Sequence, residues 1–173
     1  MQNVYICFMK FFIYISVEPY IKQWLEHNFL NNEQTGIAFP RGTAERDILA
    51  VFLDRQPENS IPAKRKEGQI AIELPYDKNR SPETYNYLPP TAEQTLKKCI
   101  YMRFRMEVWK ELHQFKHCDR LISDIILAWM EKQGIEDTEQ NWETIRQMYF
   151  RQRKKYEEKR AANQTAKSSK LKT

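Results

Sequence analysis

Three residues have types and spacing that could hold a metal ion. His113 and His117 stand four apart, which puts two imidazoles on one helix face, and Cys118 adds a thiolate. No fourth ligand is evident, and the group straddles an expected helix end, where a histidine complements the helix dipole without any metal. The sequence is therefore read as having no metal site and no cofactor. Six other residues suit nucleic acid: Arg146, Gln147, Arg151, Arg153, Lys154 and Lys155. Arg can donate two bonds to guanine, Gln can read adenine, and Lys or Arg binds phosphate. Arg146 and Gln147 stand early in their expected helix, where base-reading residues cluster, while the other four come later and suit backbone contact. Roughly five phosphate contacts would give a log–log salt slope of about −4 to −5 on duplex DNA.

Catalytic signals are sparse. The chain has only four glycines, so a phosphate-cradling loop has little raw material. It contains no Gly-rich phosphate motif, no G-x-S-x-G and no H-E-x-x-H. Glu18, Asp47, Asp54 and Glu73 are scattered, and Asp119 and Asp124 read as a helix-start charge and a surface charge. The expectation is a protein that is not an enzyme. The aromatic strip Tyr85-Asn-Tyr87-Leu-Pro-Pro90 could stack on bases; the more economical reading packs it onto a core as a linker.

These residues need elements to position them. Phe11 to Ile15 is β-branched and aromatic, as a buried strand should be. A helix is expected over Glu18 to Phe29, with Pro19 in its first turn and Tyr20 and Trp24 on one face. Gly36 to Phe39 is a short strand candidate. Thr43 can cap a helix from Ala44 to Arg55 whose apolar face is Ile48, Leu49, Phe52 and Leu53. Pro57 to Gly68 reads as a loop, and Gln69 to Leu74 alternates as a half-buried strand does. After the Pro89-Pro90 boundary, Thr91-Ala-Glu-Gln94 has the pattern of a capping box. It would open a helix from Ala92 to about Phe115 with Leu96, Ile100, Phe104, Val108, Trp109 and Leu112 inward. A second helix should span Leu121 to Lys132 and stop at Gly134. A third, capped by Asp137, should run from Thr138 to about Arg160, with Trp142, Ile145, Tyr149 and Tyr156 as its apolar stripe.

The expected fold class is α+β: a small β-α-β-α-β-like unit over residues 1–88, then a three-helix half over 89–160 with a helix-turn-helix-like hairpin, then a disordered basic tail over 161–173. The pieces differ in charge. From Trp142 to Thr173 ten basic residues face three acidic ones, a local +7, and the rest of the chain carries eighteen basic and twenty acidic residues, −2. The formal +5 is thus a property of the C-terminal segment. Such asymmetry points to nucleic acid or an anionic surface. Val4 to Val17 is apolar but interrupted by Lys10, short for a membrane span of about 20 residues, and it lacks a small-residue cleavage site. No membrane partner is expected. Met9-Lys10 offers an internal start, which would make residues 1–8 an upstream extension. Cys7, Cys99 and Cys118 are an odd, unpaired set, which suits a reducing, cytoplasmic setting.

The run Trp129-Met-Glu-Lys-Gln-Gly134-Ile-Glu-Asp, with Asn141-Trp-Glu-Thr-Ile-Arg146-Gln-Met-Tyr149-Phe-Arg151-Gln-Arg153-Lys-Lys-Tyr156, resembles the C-terminal part of uncharacterised proteins from phages and integrated mobile elements of Bacteroidetes. Tyr20-Ile-Lys-Gln-Trp24-Leu and Phe39-Pro-Arg-Gly42 are similar to their N-terminal parts, so the resemblance covers most of residues 12–156. It implies an intracellular prokaryotic setting. The two-part layout is also similar, at the level of fold, to phage transcription activators of the Mor type. The resemblance supplies no function; the basic helix in a helix-turn-helix-like hairpin gives the expectation of a DNA-binding regulator, with DNA favoured over RNA and a homodimer as the assembly. The rival expectation is an assembly module whose Trp142/Ile145/Tyr149 face meets a partner protein.

Overall fold

The computed structural model describes residues 10–58, 64–77, 80–115 and 121–170, with α5 side chains described up to Gln164. Cys7, the proposed start at Met9, His117 and Cys118 lie outside the described residues. The class is α+β, with five helices and two small antiparallel sheets among the described residues. The chain divides into two compact units, residues 1–101 and 102–173. The division falls inside a long helix rather than at Pro89.

In the first unit, strand β1 (Phe12–Ser16) pairs antiparallel with β3 (Gln69–Glu73). The register sets Ile13 opposite Ile72 and Ile15 opposite Ile70, so four β-branched side chains share one buried face. Gly36 to Phe39 does not form the strand expected of it. Only Ile37 joins the sheet, bridging parallel to Ile72: its N–H donates to Ala71 O at 2.7 Å, and its carbonyl accepts from Glu73 N at 2.8 Å. The approach is so close that a Cβ on Gly36 would lie 2.7 Å from the Phe12 ring and 2.9 Å from the Ala71 carbonyl oxygen.

Helix α1 (Pro19–Phe29) starts on Pro19, whose missing N–H costs nothing there, and buries Tyr20, Ile21, Trp24 and Leu25. Beyond it the buried Asn31 uses both ends of its amide. Its oxygen accepts from Thr35 N at 2.9 Å, and its nitrogen donates to Glu73 Oε2 at 2.8 Å. Lys10 closes the same carboxylate from outside at 3.1 Å.

Thr43 caps α2 (Ala44–Phe52) as its sequence position suggests, its Oγ1 accepting from Arg46 N. The helix ends at Phe52, short of Arg55, and Phe52 is exposed rather than core-facing. The cause is long-range. Arg80 donates to the Ala50 and Val51 carbonyls at 3.0 and 2.8 Å, which satisfies last-turn acceptors. The chain then leaves as β2 (Asp54–Arg55), paired antiparallel with β4 (Tyr85–Tyr87). The aromatic strip is thus a half-buried strand, and the Arg55 and Arg80 guanidinium groups lie over the Tyr85 ring at 5.5 and 4.8 Å.

Helix α3 (Pro90–Gln114) begins on Pro90, and the Pro89 carbonyl accepts the first helical bond, from Glu93 N. Thr91 is therefore inside the helix instead of opening a capping box. Leu96, Ile100, Phe104, Val108 and Leu112 recur every fourth residue and are all buried, whereas Trp109 is half-buried.

The second unit combines the later part of α3 with α4 (Ile122–Lys132) and α5 (Glu139–Lys170). Its core is Phe104, Val108 and Leu112 with Ile126, Trp129, Met130, Ile145, Met148 and Tyr149. Phe104 meets Trp129 edge-on at 5.8 Å, and Trp109 packs on Tyr149 at 5.9 Å. The α5 backbone continues past Arg160 to Lys170, where a disordered tail was expected. Once a helix is nucleated on a packed stretch, each added residue contributes a bond without a new nucleation penalty. Residues 161–170 contain no Gly or Pro to stop it.

Candidate nucleic-acid interface

The start of α5 is fixed by its connection to α4. Gly134 adopts φ +67, the left-handed conformation glycine reaches without a Cβ penalty. Its N–H donates to Glu131 O, and Ile135 N donates to Met130 O. These are the two bonds of a Schellman stop. Ile135 is buried at 3% exposure, so the turn carries a core residue. Thr138, not Asp137, caps α5: its Oγ1 accepts from Asn141 N at 3.2 Å. The buried Asn141 side chain in turn donates to Glu136 O at 3.0 Å.

With its origin set, α5 buries Asn141, Ile145, Met148 and Tyr149. Ile145 and Tyr149 are fully buried within the chain. Two of the three residues that the rival reading offered to a partner protein are therefore covered within the chain. Trp142 is only half-buried, and Met148, absent from the expected stripe, takes the anchoring place. Its i+3 spacing from Ile145 was the available signal. Gln152 reaches further and donates to Arg105 O at 2.8 Å.

The six candidate residues do not form one face. At 100° per residue they spread over about 200° of the helix, with Arg146 and Arg153 on one flank and Arg151 and Lys155 on the other. They also differ in engagement. Arg146 donates to both Glu143 oxygens at 3.1 and 2.9 Å, and its guanidinium lies between the Trp142 and Phe150 rings at 5.5 and 5.4 Å. Gln147 donates to Glu143 and accepts from Arg151 at 3.2 Å. Its bonds, and then those of Arg146, hold the Glu143 carboxyl below its usual range. Arg153 pairs with Glu157 at 2.9 Å, which raises the guanidinium above its ordinary value. Lys154 and Lys155 are exposed and have no ion pair among the described residues.

This arrangement bears on the chemistry. Exposed pairs of this kind contribute little stability and can be broken. Freeing Arg146 or Gln147 for a base edge, however, would leave the Glu143 carboxylate facing phosphate. By contrast, Arg151, Lys155 and Lys159 fall at i, i+4 and i+8 and form a basic stripe with Glu158 on its edge, at i+3 from Lys155. Their successive spacing is about 6 Å along the axis. The hydrogen-bond partner of Arg151, Gln147, is neutral, so this contact does not offset the guanidinium charge. Lys159 is not one of the six candidate residues; the i, i+4 repeat from Arg151 and Lys155 identifies it.

Of the metal-like group, only His113 is described. Its ring stacks on Trp109 at 4.1 Å and meets the Tyr156 ring edge-on at 4.9 Å. Among the described residues no group of three His, Cys, Asp or Glu side chains is placed to hold a metal ion. No described helix is long and apolar enough to cross a membrane. No protein-family model matches the chain, and no curated protein or solved structure matches it.

Proposed function

We propose that the protein binds duplex DNA through α5, by contact with backbone phosphates and without base readout. The observation that supports this is the basic stripe Arg151, Lys155 and Lys159, with Lys154 beside it and Glu158 as its one acidic neighbour, on a helix segment whose side chains are largely exposed from Lys154 to Gln164. An α-helix fits the major groove of B-form DNA, whereas the deep, narrow major groove of A-form RNA does not admit it. The charge distribution supports the same reading, because the local +7 is concentrated from Trp142 onward. A regulatory or architectural role in a phage or mobile element is the setting consistent with the sequence resemblance.

The test is fluorescence anisotropy on duplexes of unrelated sequence across a salt series. The wild-type chain is expected to bind them alike. The variant Arg151→Ala/Lys155→Ala/Lys159→Ala is expected to bind more weakly and to flatten the log–log salt slope by about 2.7. An unchanged slope in the variant refutes the contact assignment. Tighter binding to duplex RNA than to DNA refutes the choice of target.

A further inference from the structure

The first unit contains a cleft of about 400 Å³, within the range of about 300–1,000 Å³ usual for small-molecule sites. Much of its lining is apolar: Phe11 and Phe39 from the sheet side, Leu74 and Pro75 following β3, and Pro82. Arg46, on the first turns of α2, stands among them. One of its guanidinium nitrogens donates to the Phe39 carbonyl at 3.1 Å. Among the described residues the guanidinium has no carboxylate partner. The other cation of the wall, Lys10, is already neutralised, by Glu73 at 3.1 Å and Glu33 at 3.4 Å.

An arginine beside apolar walls, with one donor used and several left, is suited to a planar anion that accepts two parallel bonds. The remaining wall charges limit which anion. Glu83 lines the cleft, and the Glu33–Lys10–Glu73 cluster at its wall has two carboxylates to one cation; this surplus of negative charge opposes a second negative charge on the ligand. A phosphate dianion is therefore disfavoured, and a single carboxylate on an apolar body is favoured. We propose that this cleft binds a small aryl or branched-alkyl monocarboxylate, its carboxylate on Arg46 and its apolar body between Phe11, Phe39 and Leu74. The site is separate from the α5 interface and does not depend on the DNA reading.

The probes are phenylacetate, its neutral counterpart phenylacetamide, and inorganic phosphate, titrated into the full chain and followed by amide NMR shifts. Phenylacetate is expected to bind at least about tenfold more tightly than the amide, to shift Phe39 and Leu74, and to outcompete phosphate. Arg46→Gln keeps a donor for the Phe39 carbonyl but removes the charge, so it should erase the preference for the acid. Arg46→Lys should retain it. Equal binding of acid and amide overturns the assignment of Arg46. Absence of any shift at Phe39 or Leu74 with phenylacetate on the order of 10 mM overturns the site. The comparison on the wild-type chain decides the matter even if Arg46→Gln fails to fold.

Discussion

Glu143 accepts from Gln147 and, through both oxygens, from Arg146, and these bonds keep it ionised to lower pH than an ordinary carboxylate. One acidic residue therefore occupies the two side chains best placed to read bases, and it adds a negative charge about two turns before Arg151. Replacing it by Gln removes the charge and leaves a shape able to hydrogen-bond the same neighbours. Glu143→Gln is expected to tighten DNA binding about threefold at low salt, with the gain fading as the Debye length shortens. Thermal stability should barely change, because exposed pairs of this kind contribute little. Anisotropy at two salt concentrations checks both parts. An affinity that does not respond at low salt would mean that the outer face of α5 does not meet DNA.

At the scale of elements, the direction in which α5 leaves the body depends on a short connection. Gly134 supplies the left-handed residue, Ile135 the buried contact, and Thr138 and Asn141 the next helix start. Gly134→Ala forces a Cβ into φ +67 and should cost about 1 kcal/mol, while Gly134→Asn should cost less because Asn tolerates that region. Urea denaturation of the two variants gives the order, and equal stabilities would show that the Schellman stop contributes nothing. The Gly134 stop was legible because its signal is local, a glycine after a periodic stripe, as were Thr43 before another and Leu96 to Leu112 every fourth residue; the Thr138 cap was not, because Asp137 beside it is an equally good capping type. The β2–β4 pair was not legible. Asp54-Arg55 has no alternation, and its partner Tyr85–Tyr87 is held through Arg80, whose bonds to Ala50 and Val51 span some 30 residues. Ile37 reaches the sheet alone because Gly36 permits a close approach that only the packed structure reveals. At the interface, residue types are visible in the sequence, whereas their availability is set by neighbouring side chains on the helix. The pairs Glu143–Gln147 and Arg153–Glu157 sit at i, i+4 and could have been anticipated.

Across the whole molecule, charge and burial are distributed differently between the two units. Residues 1–101 carry twelve basic and twelve acidic side chains, and residues 102–173 carry sixteen and eleven. Long-range attraction to a polyanion therefore belongs to the second unit. Both units, however, bury a tyrosine hydroxyl that resists ionisation. Burial raises Tyr20, with the Glu18 charge adding to it, and burial raises Tyr149 despite the opposing Arg153. The sign follows from linkage. In the unfolded chain a tyrosine loses its proton near pH 10, while in the folded chain these two keep theirs. The stabilisation is then fully present below about pH 10 and is lost as pH rises beyond it, because the unfolded state gains from ionising and the folded state does not. Stability measured by urea denaturation should hold from neutral pH to about 9 and decline steadily above 10. Tyr20→Phe and Tyr149→Phe, combined in one chain, remove the groups that ionise only on unfolding, so the double variant should show a shallower alkaline decline than the wild type. A decline of the same slope in both would assign the alkaline sensitivity to groups other than these two phenols.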